Sequence, residues 1–156
     1  MIDQARDKAA TLALLALLAG GGLGFAAPAA AVDYVAPSAA DVLYDAPSDQ
    51  AKPLYVLRAG TPVEQVVDLN AWVKVRDSDG HIAWIEKKLL GGKRQAMVRV
   101  DRASIFASAD EKAAVVFEAE RDVLLDVLET LPDGWTKVRH RDGQTGFIKT
   151  AQLWGL

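Results

Sequence analysis

Short apolar runs broken by turn-forming residues recur along most of the chain, with the spacing of strands rather than helices. In the stretch from Trp135, Lys137 and Arg139 share one parity with the tryptophan while Thr136 and Val138 share the other, the period of two of a β-strand. Asp142-Gly143 then supplies a turn, because glycine takes positive φ without penalty and aspartate tolerates it. Gln144 to Thr150 returns as the partner strand. The same text stands earlier, from Trp72 to Leu90. A shift of 63 lays Trp72 on Trp135, Lys74 on Lys137, Val75 on Val138, Arg76 on Arg139, Asp79 on Asp142, Gly80 on Gly143, Ile85 on Ile148 and Leu90 on Leu153. Trp84 over Phe147 adds an aromatic match. Such a repeat means two copies of one fold unit.

The remaining pattern fills in each copy. Tyr34 in the extended lead-in, Val42 to Tyr44 and Leu54 to Leu57 read as short strands around a loop at Ala46 to Gln50. Pro62 to Leu69 follows, with Val63 and Val67 on one face and Val66 breaking the alternation. Glu86 to Leu90 predicts a short helical turn. The glycine-rich, polar segment 91–96 reads as a linker. The second copy restarts at Met97, with strands at Ile105-Phe106 and Val115 to Phe117. Asp122 to Thr130 is the longest apolar run. A helix competes there, but the turn at Leu131 to Gly134 directly before Trp135 favours a hairpin strand. Each copy is then about 60 residues of short strands, the pattern of a small barrel that would be marginal alone. The short linker implies that the two pack against each other.

The first 31 residues differ. Residues 9–31 carry no charge, Arg6 and Lys8 precede them, and Ala29-Ala30-Ala31 closes the stretch. That is the layout of a secretory signal cleaved before Val32, with Ala27-Pro28-Ala29 as the other candidate exit. An uncleaved anchor is the competing reading, since about 20 apolar residues can span a bilayer. Against it, the strongly apolar core is only Leu12 to Leu18, and Gly20 to Gly24 weakens a helix beyond it. The expected location is therefore periplasmic or extracellular, with an inner-membrane anchor through residues 9–31 as the alternative; membrane contact is expected only if that segment is uncleaved. The chain has no cysteine, so it has neither disulfides nor a thiol nucleophile. The first repeat has six basic and nine acidic residues and the second ten of each. Neither is a basic field, so nucleic acid is not an expected partner.

Leu43-Tyr44 with Ala46-Pro47-Ser48, Gly60-Thr61-Pro62-Val63, Trp72 with Lys74-Val75-Arg76, the Asp-Gly turns and Gly146-Phe147-Ile148 together resemble the bacterial SH3-like (SH3b) domain, twice over. The closing Leu153-Trp154-Gly155 is similar to the ending of one subgroup. The first copy has Ala83 where the family has glycine, and Ile105-Phe106-Ala107-Ser108 lacks the family's proline. The resemblance implies an all-β fold of two tandem SH3-like small β-barrels after an N-terminal signal segment. The expected divisions are 1–31 signal or anchor, 32–90 first barrel, 91–96 linker and 97–156 second barrel.

Catalytic chemistry finds no support in the residues. His81 and His140 occupy non-equivalent places and no metal-ligand spacing, so both read as solvated and no metal or cofactor is expected. The five serines lie in loops or strand starts, outside any nucleophile-elbow motif. What remains is a binding surface. By the resemblance, Tyr44, Trp72 and Trp84 would flank a groove in the first copy, and Phe106, Trp135 and Phe147 in the second. Aromatic rings of this kind suit stacking on sugars or gripping an extended peptide, and equally suit filling small barrel cores. Trp72 and Trp135 share strand parity with Lys and Arg, which favours the surface. Trp154 reads as a plug between the barrels or over a barrel end. The expected function is a non-catalytic envelope binding module for peptidoglycan or an extended peptide. The alternative is a structural or assembly partner of another envelope protein, with no small ligand.

Overall fold

The computed structural model describes residues 32–93 and 95–156. The signal or anchor expected at 1–31 lies outside them. Among the described residues thirteen strands follow one another: β1 (Tyr34–Val35), β2 (Asp41–Tyr44), β3 (Pro53–Leu57), β4 (Val63–Leu69), β5 (Trp72–Arg76), β6 (Ile82–Glu86), β7 (Gln95–Val98), β8 (Arg102–Phe106), β9 (Val115–Glu120), β10 (Leu124–Thr130), β11 (Trp135–Arg139), β12 (Thr145–Lys149) and β13 (Leu153–Trp154). Single 3-10 turns at Lys87–Leu89 and Thr150–Gln152 follow β6 and β12. Among the described residues no helix is long and apolar enough to cross a membrane.

The strands form two antiparallel sheets whose first six strands follow the same order, with β13 added at the edge of the second. The first runs β1-β4-β5-β6-β2-β3 and the second β13-β7-β10-β11-β12-β8-β9. In the second, Leu153 pairs with Val98 and so brings the end of the copy back to its first strand; in the first, a single bridge between Pro37 and Leu90 does the same. Within the run expected as a strand, Leu124 to Thr130 is extended, while Asp122 sits in a turn at φ 66°. Gln95 and Ala96, expected in the linker, are instead the first residues of β7, where Ala96 lies opposite Leu125 and is fully buried. A buried alanine paired into a ladder satisfies its backbone there, which a linker could not do.

Each sheet wraps its own core. Leu43, Leu57, Val63, Val73, Val75, Ala83 and Ile85 fill the first; Ala96, Val98, Ala103, Ile105, Ala119, Leu125, Val138, Ile148 and Leu153 fill the second. The counterpart of Val73 is Thr136, fully buried, and its hydroxyl is paired with that of Thr150 at 2.9 Å. That bond removes the penalty of burying an unpaired polar group. Val67, expected beside Val63, is exposed: a bulge between Gln65 and Val67 shifts the register, and a second bulge between Val127 and Glu129 does the same in the other copy. A bulge puts two residues opposite one and so flips the parity of the rest of the strand, which is why Val66 breaks the alternation.

The two barrels touch through few, specific contacts. The Trp154 indole N–H donates to the Pro62 carbonyl at 3.2 Å, and the ring meets Tyr34 edge-on at 5.2 Å. Arg58 donates to the Asp122 carbonyl at 3.2 Å. Gly60, at φ 76°, lies against the Gln95 carboxamide, which a β-carbon there would displace. Trp154 is thus the expected plug between the barrels.

Candidate functional site: two aromatic faces

Along β5 the side chains of Val73 and Val75 turn inward, so Trp72 and Lys74 must point out. The pairing register carries the same logic sideways. Lys74 lies opposite Trp84 and Trp84 opposite Tyr44, while Trp72 lies opposite Glu86. Tyr44, Trp72 and Trp84 therefore gather on the outer face of β2, β5 and β6. The Tyr44 and Trp72 rings meet edge-on at 5.6 Å, and the Lys74 ammonium stands 5.4 Å from the centre of the Trp84 ring. Both are favourable geometries for π systems.

The second copy repeats the layout. Lys137 lies opposite Phe147, Phe147 opposite Phe106, and Trp135 opposite Lys149. Phe106 and Trp135 meet edge-on at 5.7 Å, and the Lys137 ammonium is 5.7 Å from the Phe147 ring centre. All six aromatic residues expected at a binding surface thus come together in two groups of three, and none belongs to either apolar core cluster.

The two faces are nevertheless unequal. Where the first has Glu86, tied to Lys88 at 2.5 Å, the second has Lys149. The Lys149 ammonium stands 4.3 Å over the Trp135 ring and is held there by Glu111 at 2.9 Å. Trp135 is consequently 4% exposed, whereas Trp72 is half-buried. Trp135 cannot line an open groove unless Lys149 leaves, so the expected second groove is closed at that residue. Sequence reasoning passes over these lysines, although a signal for Lys149 exists: once the Asp142-Gly143 hairpin is placed, its register sets Lys149 opposite Trp135.

The rims differ too. Around the first face lie Val42, Leu54, Val56 and Ile82, with Leu54 43%, Val56 62% and Ile82 45% exposed. The equivalent positions in the second copy are Ser104, Val116, Glu118 and Thr145. The rim of the first face is aliphatic at all four positions, whereas the second keeps one aliphatic residue and puts polar groups at the other three.

The histidines belong to turns. The Asp77 carboxylate, between β5 and β6, accepts from the Tyr55 hydroxyl at 2.8 Å and from the backbone N–H groups of Asp79 and His81 at 3.0 and 2.8 Å, and the His81 ring lies 3.1 Å away. Burial pushes this carboxyl up, but those hydrogen bonds outweigh it and hold it below the usual range. Burial, followed by the bond to Asp77, pushes the Tyr55 hydroxyl well up. Asp77, Asp79 and His81 are close enough to be considered for a cation, but the carboxylate of Asp77 is already engaged in closing the turn. His140 rests against Asp142 at 3.0 Å, in the equivalent turn.

The chain spans about half the length of the solved structures it matches. NlpC2 from Trichomonas vaginalis is 17% identical with a TM-score of 0.35, over 78% of this chain and 47% of that one. NlpC1 from the same organism is 18% identical with a TM-score of 0.37, over 81% and 47%. An NlpC/P60 family protein from Bacillus cereus ATCC 10987 is 15% identical with a TM-score of 0.37, over 78% and 56%. No curated protein matches. The family model for the bacterial SH3 domain matches twice, over residues 38–92 and 99–155, one match to each sheet, with β1 and β7 lying just before the matched segments. The chain belongs to the bacterial SH3 domain family, as two tandem copies.

Proposed function

We propose that the protein is an exported, non-catalytic binding module of the bacterial envelope, which holds peptidoglycan or an extended peptide against the outer face of its first barrel. The observation that carries this reading is the placement of Tyr44, Trp72 and Trp84 on the outer face, outside the core cluster and half-buried, with Tyr44 edge-on to Trp72 and Lys74 over Trp84. Large rigid rings at low ordering cost are the usual anchors of a recognition surface. Members of this family are often cell-wall binding modules, which supports the wall as one ligand. Export rests on the charge-free segment 9–31 and its alanine-rich end.

The test is co-sedimentation with purified peptidoglycan, beside fluorescence titration with extended peptides, for the wild type and for Trp72→Ala, Trp84→Ala and Trp135→Ala. The wild type and Trp135→Ala should bind one of the two ligand classes. Trp72→Ala and Trp84→Ala should lose on the order of 2 kcal/mol, roughly thirtyfold. Wild type that binds neither ligand, or binding unaffected by Trp72→Ala and Trp84→Ala, contradicts the reading.

A further inference from the structure

The first sheet ends on β3, whose outer edge pairs with no other strand among the described residues. An edge of this kind presents unpaired backbone N–H and C=O groups, and proteins usually guard it with charge. The second barrel does so: on its edge strand β9, Glu118 and Glu120 are exposed, and Glu118 is paired with Arg102 at 3.5 Å. On β3 the outward residues are Leu54 and Val56, and Val56 stands where β9 has Glu118. Inward of it, Val42 lies opposite Val56, and Tyr44 and Trp84 continue the apolar surface toward Trp72. Lys52, Pro53 and Arg58 mark the ends of β3, so what separates the two edges is the middle of the strand, where one barrel has a charge and the other has Val56.

We infer that β3 is a pairing edge, and that the first barrel takes an extended peptide as an added strand whose apolar side chains settle on Val42, Leu54 and Val56. This deepens the function proposed above and rests on it for the aromatic part of the surface; it fixes the ligand as peptide rather than glycan. The valine and leucine rim has no side-chain donor or acceptor, so sugar hydroxyls laid on it would be stripped of water without replacement. A peptide strand meets the free edge through its backbone and the rim through alternate side chains. A second copy of this chain is the wrong partner. Lys52 and Arg58 stand at the two ends of β3, and antiparallel self-pairing would set each lysine against the other chain's arginine. The same two cations favour a segment with acidic residues at its ends.

The experiment uses the mature chain and a short synthetic peptide of alternating valine and threonine with an aspartate at each end. Binding is followed by titration, and amide hydrogen exchange locates it. The control variant is Val56→Glu, which copies the residue the second barrel already tolerates there, with its unfolding midpoint measured alongside. The wild type should bind and show slowed exchange along β3; Val56→Glu should keep its midpoint and bind at least about tenfold more weakly. Equal binding by Val56→Glu, slowed exchange along β9 instead, or no peptide binding at all overturns the inference. If wild type is then retained on peptidoglycan through Trp72, the broader reading survives its loss. If neither ligand is held, both fall.

Discussion

Two residue pairs show how the copies keep one fold with different side chains. In the first barrel Leu43 packs beside Ala83; in the second the same places hold Ile105 and Gly146, all four buried. A β-carbon on Gly146 would lie 2.5 Å from the Ile105 Cγ2 methyl and 2.7 Å from the Phe106 carbonyl oxygen. The branched methyl occupies the space that Ala83 fills in the first copy. Gly146→Ala should therefore destabilise by about 1–3 kcal/mol, and adding Ile105→Leu should recover part of that loss in denaturant unfolding. An unaltered midpoint for Gly146→Ala would sink this account. Lys149 offers a second test. Lys149→Ala should leave stability within about 1 kcal/mol, since it removes a cation from a ring and an ion pair with the exposed Glu111. It should make Trp135 fluorescence markedly more accessible to acrylamide. A quenching curve identical to wild type would mean that something other than Lys149 covers the ring.

Asp126 on β10 gathers Lys93 at 2.5 Å, Gln95 at 3.1 Å and Arg139 at 3.2 Å, tying the start of β7 and the end of β11 to one carboxylate that is itself only 14% exposed. The hydrogen bond from Lys93, opposed by burial and helped by Arg139 and Gln95, holds its pKa below the ordinary value. A carboxyl with a lowered folded pKa adds stability above its unfolded pKa, and that stability is lost as pH falls through the folded one. Asp126→Asn should thus be less stable at neutral pH, by no more than about 1 kcal/mol because Lys93 and Arg139 are solvent-exposed. Its midpoint should also fall less steeply than wild type below about pH 4. Parallel acid limbs for the two proteins would contradict the assignment. Strand existence and pairing are readable in the residues, because alternation and Asp-Gly turns are local signals: β5, β6, β11 and β12 stand where the repeat puts them. The bulges at Gln65 and Val127 are not, since a register slip is set by the partner strand. The six aromatics are readable by parity and resemblance. The closure of Trp135 and the bare edge of β3 are not, because each depends on which strand lies alongside.

For the molecule as a whole, each barrel is small enough to be marginal alone. The contacts of Trp154 with Pro62 and Tyr34, and of Arg58 with Asp122, make one stability out of two. Thermal unfolding should show a single transition, and Trp154→Ala should lower or split it. Two resolved transitions in the wild type would show that the barrels fold independently. Behind these expectations stands the claim that ligand is held on the first barrel's outer face while the second is closed. The four tryptophans report on it directly, each giving one indole N–H resonance. In a titration with solubilised peptidoglycan fragments or the acid-ended peptide, the Trp72 and Trp84 signals should shift while those of Trp135 and Trp154 stay in place. Movement of Trp135 or Trp154 with Trp72 and Trp84 unmoved would contradict it.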